Sequence, residues 1–379
     1  MKIALIQDQL LTPAGSERVF YYMTQELKEA DVYTLCYNEK TTLPGFRDIP
    51  IKTHWLNTLV RSHKAFKLFF PISTYAMERW DFSDYDLIIT SSATTAKYIK
   101  KFRGAHICYC YFPTRAIWNF EEYFQSASSS DIPSNLFRIL LNYFKKRDIK
   151  AASRVTKFIA ISDVTKNAIR KIYNRSSVVI HSPIDNRHLT PNPIKIDKGY
   201  FLVVSRLEKW KAIDYVITAF NDLNYELRVV GSGPERDSLI SMSNKNITFL
   251  GRVGDDELVN LYREATAVIF PTELEYGLVP LEANACGTPV IALGRGGVLE
   301  TMVPVGNDFG LAPNALYYSS PDAADLTDAI NRFNPKLFKQ CDLVKNASRF
   351  DVDSFKLKLR CQMQEWGYDL PRLSGRNVT

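Results

Sequence analysis

Two basic side chains lie where a predicted strand gives way to a helix. Arg206 and Lys211 follow the apolar run 200–204 and precede the amphipathic stretch 212–223. The N-terminus of a helix beside a strand end attracts anions, and arginine can hold phosphate oxygens through two parallel hydrogen bonds. The pair therefore predicts a diphosphate site. A solvated basic turn is the alternative that this segment alone leaves open.

An acid and several glycines share the segment Phe270–Glu300, FPTELEYGLVPLEANACGTPVIALGRGGVLE. Glu282 is expected in the first turn of an otherwise apolar helix, where it could accept hydrogen bonds from ribose hydroxyls. The free amides of Gly277, Leu278 and Val279 are expected to bind phosphate or sugar oxygens. An acid near the positive end of a helix dipole would explain Glu282 alone, but it would not explain the repeated glycines.

A third candidate loop is TPAGSERV, which follows the first predicted strand. Gly15 permits close approach of the backbone to a ligand, although a lone glycine can simply form the turn. The loop is not GxGxxG, which counts against an NAD or FAD dehydrogenase, and the chain contains no GxxxxGK[ST] motif of a P-loop ATPase.

Short β-branched strands alternate with amphipathic helices along the chain, which predicts parallel, doubly wound sheets of the α/β class. The alternation stops at Asn186–Gly199, where proline, asparagine and charge dominate, and then restarts. This segment is interpreted as a linker between two Rossmann-like domains. In such sheets ligands bind at the carboxyl ends of the strands.

Composition fits a globular protein of two domains: 379 residues, 46% hydrophobic and 23% charged. The six cysteines form no zinc-like pattern and are interpreted as reduced packing thiols, with Cys108 and Cys110 on one face of a strand. The N-terminus lacks the apolar core of a signal peptide, and no run of about 18 apolar residues predicts a membrane span.

Positive charge is concentrated in the first half of the chain. Residues 1–190 carry 27 Lys and Arg against 17 Asp and Glu, and residues 191–379 carry 21 against 24. Arg61–Phe70 and Asn135–Lys150 mix basic, aromatic and aliphatic residues, which suits contact with an anionic membrane. An ordinary domain surface is the alternative. Nucleic-acid binding is disfavoured because no RNP, KH or zinc-finger pattern occurs.

Taken together, these segments resemble the group-one, or family-four, retaining glycosyltransferases of the GT-B fold, nearest to the bacterial O-antigen and exopolysaccharide branch with its mannosyltransferases. The resemblance extends from MKIALIQD to about Phe355. The strings that carry it are AGSERV, YDLIITSSATTAK, CYFPTRAIW, FIAISDVTKNAIRKIY, SRLEKWKAID, VVGSGPERDSL, FLGRV, YGLVPLEANACGTPVIA and GRGGVLE.

The resemblance implies three domains or segments. Residues 1–190 would bind the acceptor, residues 191–345 would bind the nucleotide-sugar donor across an interdomain cleft, and helices within 346–379 would cross back to the first domain. It also implies the following contacts: Arg206 and Lys211 with the donor diphosphate, Glu282 with ribose, Gly277–Val279 amides with phosphate or sugar, Glu275 with the donor, backbone near Val253 with the base, Gly15 beneath the transferred sugar, and Tyr111 and Arg115 on the acceptor side.

The chain departs from the family pattern at three positions. Many relatives carry HTPxR where this chain has YFPTR, so Tyr111 replaces the histidine. Leu274 stands where a glutamate is usual, flanked by Glu273 and Glu275, and Ala14 replaces the first glycine of the usual pair. These changes affect the sugar and acceptor side, whereas the residues expected to hold the diphosphate and ribose are present.

The predicted activity is metal-independent, retaining transfer of a hexose onto a glycan or lipid-linked acceptor in surface polysaccharide synthesis. The favoured hexose is mannose, with GDP-mannose as the donor. No cofactor or metal is expected. The predicted location is the cytoplasm, with peripheral contact at the inner face of the membrane. The alternative, motivated by Tyr111 and Leu274, is a catalytically weak partner subunit that binds a nucleotide sugar or glycan.

Overall fold

The computed structural model describes residues 1–119, 135–185, 189–308 and 310–370. Residues 186–188 of the predicted linker and residues 371–379 of the predicted C-terminal segment lie outside these ranges. The described chain divides into two units: 1–119, 135–182 and 355–370 form the first, and 183–354 form the second apart from the gaps. The second unit begins before residue 190 because the Ile184 amide already donates to the Phe350 carbonyl.

The first unit contains a seven-stranded parallel sheet of order β3-β2-β1-β5-β7-β8-β9, with a separate two-stranded pair, β4 and β6. Its strands are β1 (Ile3–Gln7), β2 (Asp31–Thr34), β3 (Ile51–Thr53), β4 (Asp81–Phe82), β5 (Leu87–Ser92), β6 (Lys101–Phe102), β7 (Ala105–Cys110), β8 (Lys157–Ala160) and β9 (Ser177–Val179). Its helices are α1 (Gly15–Glu26), α2 (His63–Leu68), α3 (Phe70–Arg79), α4 (Arg115–Trp118), α5 (Asn135–Ser153) and α6 (Asp163–Tyr173).

The second unit contains a six-stranded parallel sheet of order β12-β11-β10-β13-β14-β15. Its strands are β10 (Tyr200–Val204), β11 (Glu226–Val230), β12 (Ile247–Gly251), β13 (Ala267–Phe270), β14 (Val290–Leu293) and β15 (Ala315–Tyr318). Its helices are α7 (Ile213–Asp222), α8 (Arg236–Ser241), α9 (Asp255–Glu264), α10 (Leu278–Ala285), α11 (Val298–Thr301), α12 (Ala323–Arg332) and α13 (Gln340–Ser348), and the unit boundary falls within α14 (Val352–Glu365).

The central strands of each sheet are buried on both faces, as their near-continuous apolar sequences predict. All five residues of β1 are buried between β2 and β5, and β13 and β14 are equally buried. Cys108 and Cys110 pack in one apolar cluster of the first unit, which confirms that they share a face. All six cysteines are free thiols.

The last described residues pack on the first unit. The Phe355 ring lies 5.8 Å from that of Tyr109, and the Arg360 guanidinium pairs with the Glu26 carboxylate. Among the helices described, none has both the length and the hydropathy needed to cross a bilayer.

Candidate functional site

The order of strands in the second unit places a ligand site at one point on the sheet edge. From β10 the chain adds β11 and β12 on one side, then returns to add β13, β14 and β15 on the other. Doubly wound sheets bind ligands where the strand order reverses, at the carboxyl ends of the strands. The loops after β10 and β13 flank this point, and the Thr272 hydroxyl joins them by donating to the Lys211 carbonyl at 2.8 Å.

Glycines of the VVGSGPER segment allow the β11 loop to pack directly on the loop that carries Arg206. A Cβ atom on Gly231, whose φ is +135°, would lie 1.8 Å from the Ser205 carbonyl oxygen, and one on Gly233 would lie 2.1 Å from that of Leu207. The amides of Ser205 and Leu207 donate to carbonyls of the β11 end and its loop, at 3.0 and 3.1 Å. Side chains larger than hydrogen would separate the two loops.

The structure brings Arg206 and Lys211 together on one aromatic ring. The Arg206 guanidinium lies 5.9 Å from the Trp210 ring centroid, and the Lys211 ammonium lies 4.1 Å from it. Glu208 accepts hydrogen bonds from Arg206 at 3.2 Å and from the Trp210 indole at 2.5 Å. The Arg206 side chain is 62% exposed. Both basic side chains therefore contact one ring near the strand end, and the Glu208 carboxylate offsets part of the charge of Arg206.

The β13 loop is held by the glycines of GRGG. The Gly297 amide donates to the Leu274 carbonyl at 2.8 Å, and Cβ atoms on Gly296 and Gly297 would lie within 2.4 Å of the carbonyl oxygens of Leu274 and Glu275. Leu274 is partly buried against the core, whereas Glu273 is exposed and Glu275 is partly buried. Leu274, which stands where the family pattern has a glutamate, therefore packs against the core of the second unit.

Glu282 lies deeper in its helix than the sequence analysis expected. Helix α10 begins at Leu278 with Gly277 as its N-cap, so Glu282 is the fifth helical residue and belongs to the second turn. The first-turn prediction for Glu282 is therefore wrong. The amides of Leu278 and Val279 lie at the helix N-terminus, where backbone N–H groups lack partners within the helix. Tyr262 of α9 donates a hydrogen bond to the Glu282 carboxylate at 2.8 Å.

Val253 lies in the loop between β12 and α9, and its side chain packs against the core of the second unit. The neighbouring Arg252 donates to the Ser232 hydroxyl of the β11 loop at 2.9 Å, and the Gly231 amide donates to the Gly251 carbonyl at 2.7 Å. The carboxyl ends of β10, β11 and β12 are thereby joined in a continuous set of loops.

In the first unit, Tyr111 connects three elements. Its hydroxyl donates to the Ser16 carbonyl at 3.0 Å and shares a 2.9 Å hydrogen bond with the Ser91 hydroxyl at the end of β5. Burial raises the pKa of this phenol well above its usual value. Tyr111 thus holds the first turn of α1, which begins at Gly15, through a phenol that stays protonated. Its contact with an acceptor remains a prediction.

Glu17 fixes the loop that precedes Gly15. Its buried carboxylate accepts hydrogen bonds from the amides of Leu11 and Thr12, at 3.0 and 2.9 Å, and from the Thr42 hydroxyl at 2.7 Å. Burial raises the Glu17 pKa even though these hydrogen bonds act in the opposite direction.

Arg115 begins α4, and its guanidinium lies 5.6 Å from the Phe112 ring centroid. A buried ion pair holds this segment: the Lys97 ammonium lies 3.0 Å from Asp148 of α5 and 2.6 Å from the Thr114 hydroxyl. Asp148 also accepts hydrogen bonds from the Trp118 indole at 2.7 Å, the Thr114 hydroxyl at 3.1 Å, and two tyrosine hydroxyls.

Asp8, at the end of β1, was missed by the sequence analysis. Its carboxylate accepts hydrogen bonds from four consecutive amides, those of residues 93–96, at 2.6–2.8 Å. An acid directly after an apolar strand is the only sequence signal for it. These four amides form an anion-binding arrangement that the protein fills with its own carboxylate. Within the described ranges, no three His, Cys, Asp or Glu side chains are grouped to hold a metal ion.

Comparison with known proteins finds a family match within the second unit. Residues 185–349 match the family model "Glycosyl transferases group 1". The uncharacterized glycosyltransferase MJ1607 of Methanocaldococcus jannaschii is 37% identical over 117 residues, which are 28% of this chain and 30% of the relative. The alpha-1,3/1,6-mannosyltransferase ALG2 of Dictyostelium discoideum is 22% identical over 299 residues, 65% of this chain and 66% of the relative.

The chain therefore spans less than a third of the first relative and just under two thirds of the second. A crystal structure of Anabaena Alr3699/HepE in complex with UDP is similar over 96% of this chain and 100% of that chain, with a TM-score of 0.68 and 19% identity. This similarity and the two parallel-sheet units show the GT-B fold. The family match is confined to residues 185–349, less than half of the 379-residue chain.

Proposed function

We propose that this protein transfers a hexosyl group from a nucleotide sugar to a glycan or lipid-linked acceptor. The observation that carries the proposal is the pairing of Arg206 and Lys211 on Trp210, at the point where the strand order of the second unit reverses. A doubly charged diphosphate is a ligand that two basic side chains and a helix N-terminus can bind.

The same groups would stabilise the transition state. As the sugar leaves, negative charge grows on the departing diphosphate, and donors already aimed at that charge lower the barrier. Each well-placed donor contributes about 3 kcal/mol. Arg206, Lys211 and the first amides of α10 would supply this stabilisation without a metal ion, and Glu282 would bind the ribose.

We further propose that the transfer is metal-independent and retains the anomeric configuration. Retention rests on the resemblance of the whole chain to the retaining group. Turnover that persists in EDTA, with a product whose one-bond C1–H1 coupling shows the same anomeric configuration as the donor, would support both points. Loss of turnover in EDTA that Mg²⁺ restores would contradict metal independence. A product of inverted anomeric configuration would contradict retention.

The proposed donor is GDP-mannose. The similarity to a mannosyltransferase supports mannose. Because a structural neighbour was crystallised with UDP, UDP-sugars are the first alternative donors to compare with GDP-mannose. A panel of GDP-, UDP- and ADP-sugars, scored by release of the nucleoside diphosphate, tests the choice. Faster turnover of any UDP-sugar than of GDP-mannose would overturn it.

Arg206→Ala tests the proposed role of the cations. The variant should lower turnover by roughly a hundredfold, because about 3 kcal/mol of transition-state stabilisation is lost. Arg332→Ala is the matched control, since this exposed arginine ends α12 and donates to the Asp328 carbonyl one turn earlier in the same helix. Wild-type turnover in Arg206→Ala would contradict the assignment. Binding of a nucleotide sugar without turnover by the wild type would favour the partner-subunit alternative.

For location, we propose the cytoplasm with peripheral binding to an anionic membrane. In the first unit α3 and α5 pack together: the rings of Phe70 and Phe144 lie 5.8 Å apart, and the Tyr75 and Tyr143 hydroxyls are hydrogen-bonded. Large apolar side chains remain exposed on these helices and on α2, namely Leu68, Ile72, Tyr75, Ile139, Leu140 and Tyr143.

Charge on this face complements anionic lipid. The sequences of α2, α3 and α5 contain only two acids, Glu78 and Asp148. Glu78 pairs with Arg147 and Arg154, and Asp148 pairs with Lys97. Exposed cations of α2 and α5 are Lys67, Arg138, Lys146 and Lys150. Each basic residue near an anionic surface contributes about 1 kcal/mol.

Vesicle flotation tests this proposal. Wild-type protein should float with vesicles rich in phosphatidylglycerol and should be released from them by high salt. It should not float with vesicles of phosphatidylcholine alone. Ile139→Ser should weaken flotation, whereas Leu357→Ser, a similarly exposed site on α14, should not. Equal flotation of both variants, or no binding to anionic vesicles at low salt, would refute it.

A further inference from the structure

Tyr262 is the buried partner of Glu282. Its side chain lies on α9 and is fully buried, and its hydroxyl lies 2.8 Å from the Glu282 Oε2 atom. The residues on either side of Glu282 in α10, Leu281 and Ala283, are apolar and fully buried. A carboxylate on such a helix needs a hydrogen bond to hold one rotamer, and a fixed phenol supplies it.

The phenol can only act as a donor to this acid. Burial, followed by the charge of Glu282, raises the Tyr262 pKa well above its ordinary value. The hydroxyl is therefore protonated throughout the neutral range. Because the carboxylate accepts and the phenol donates, the hydrogen bond has one polarity and fixes the position of Oε2.

Tyr262 is itself held at the end of α9. Its carbonyl accepts a hydrogen bond from the Thr288 hydroxyl. The Lys195 ammonium donates to the Thr288 hydroxyl at 2.7 Å and to the carbonyls of Arg263 and Ala265 at 2.8 Å each. These contacts fix the backbone from which the phenol projects. Precise positioning of a binding group requires this kind of support from a second layer of residues.

We propose that Tyr262 is a positioning residue that aims the Glu282 carboxylate at the ribose hydroxyls of the donor nucleotide. This inference rests on the proposed donor site. It predicts that the phenol contributes to nucleotide affinity only through the ribose, although it does not touch the nucleotide.

The test is calorimetric binding of GDP and UDP and of their 2′,3′-dideoxy counterparts to the wild type and to Tyr262→Phe. The variant should bind the better ribonucleotide about tenfold more weakly, as expected for partial loss of a charge-assisted hydrogen bond. Its affinity for the dideoxy nucleotide should remain within about twofold of wild type, because that ligand has no hydroxyl for Glu282 to bind.

Tyr200→Phe is the matched control. Tyr200 is equally buried in the same unit, and its hydroxyl donates to the Leu261 carbonyl at 2.8 Å. It should leave both affinities unchanged. Equal weakening of both ligands by Tyr262→Phe would show a structural effect and would overturn the positioning role, as would unchanged ribonucleotide affinity. A wild type that binds neither nucleotide would overturn the donor site itself, an outcome seen before any variant is compared.

Discussion

Removal of the Lys97 ammonium by Lys97→Met should strongly destabilise the first unit. The Lys97 and Asp148 side chains are 1% and 0% exposed, with Nζ and Oδ1 3.0 Å apart. Burial acts to lower the Lys97 pKa, but the opposing electrostatic interactions, chiefly the charge and hydrogen bond of Asp148, together raise it, so the pair is ionic at neutral pH. The variant leaves the Asp148 carboxylate buried with neutral donors only.

The expected loss is about 3–5 kcal/mol, the usual result of removing one partner of a buried ion pair. For a unit of this size that corresponds to a fall in melting temperature of roughly 6–20 °C. Urea unfolding followed by tryptophan fluorescence suits the measurement, because the Trp118 indole donates directly to Asp148 at 2.7 Å.

Two further variants make the test specific. Lys146→Met removes an exposed cation of the same unit and should change stability by less than about 0.5 kcal/mol. The double variant Lys97→Met/Asp148→Asn should be more stable than Lys97→Met, since it leaves no unpaired charge and keeps an amide oxygen that can accept from the Trp118 and tyrosine donors. A loss below about 1 kcal/mol in Lys97→Met, or additive losses in the double variant, would refute the reasoning.

Three other changes have defined outcomes. Gly231→Ala places Cβ 1.8 Å from the Ser205 carbonyl and should lower turnover roughly a hundredfold by displacing the Arg206 loop, as steady-state kinetics would show; wild-type rates would contradict this. Ala212→Gly relieves a non-glycine residue at φ +52° beside Lys211 and should raise the unfolding free energy by about 1 kcal/mol in urea titrations; a decrease would refute it. Burial lowers the Lys195 pKa to about 8, so above that pH the unfolded chain binds more protons than the folded protein. The unfolding free energy of wild type relative to Lys195→Met should therefore rise from pH 8 to 10. A difference in unfolding free energy that does not change with pH would argue against burial of the charge.

Local signals predicted much of the second unit. The β-branched runs predicted β10–β14 but not β15. Gly231 and Gly233 of VVGSGPER and Gly296 and Gly297 of GRGG lie where a side chain would strike a neighbouring backbone. Such signals are readable because strand burial and close backbone approach restrict the residue type at a single position. The helix start was predicted less well: Glu282 lies in the second turn rather than the first because α10 already begins at Leu278, directly after Gly277.

Contacts between distant residues were not predictable in the same way. Lys97 and Asp148 are 51 positions apart, and each reads as an ordinary surface charge in its own segment. Tyr262 precedes Glu282 by 20 residues and resembles any aromatic residue on the buried face of a helix. Their roles depend on which helices pack together, and tertiary packing rather than local pattern determines that.

The central claim is that Arg206 and Lys211 bind the diphosphate of a nucleotide. The most direct measurement is calorimetric titration of GDP and UDP into wild type, Arg206→Ala and Arg332→Ala at low ionic strength. We expect Arg206→Ala to lose about tenfold or more in affinity for the diphosphate bound by wild type, while Arg332→Ala retains it. Equal affinity in all three proteins, or no binding by wild type, would contradict the account.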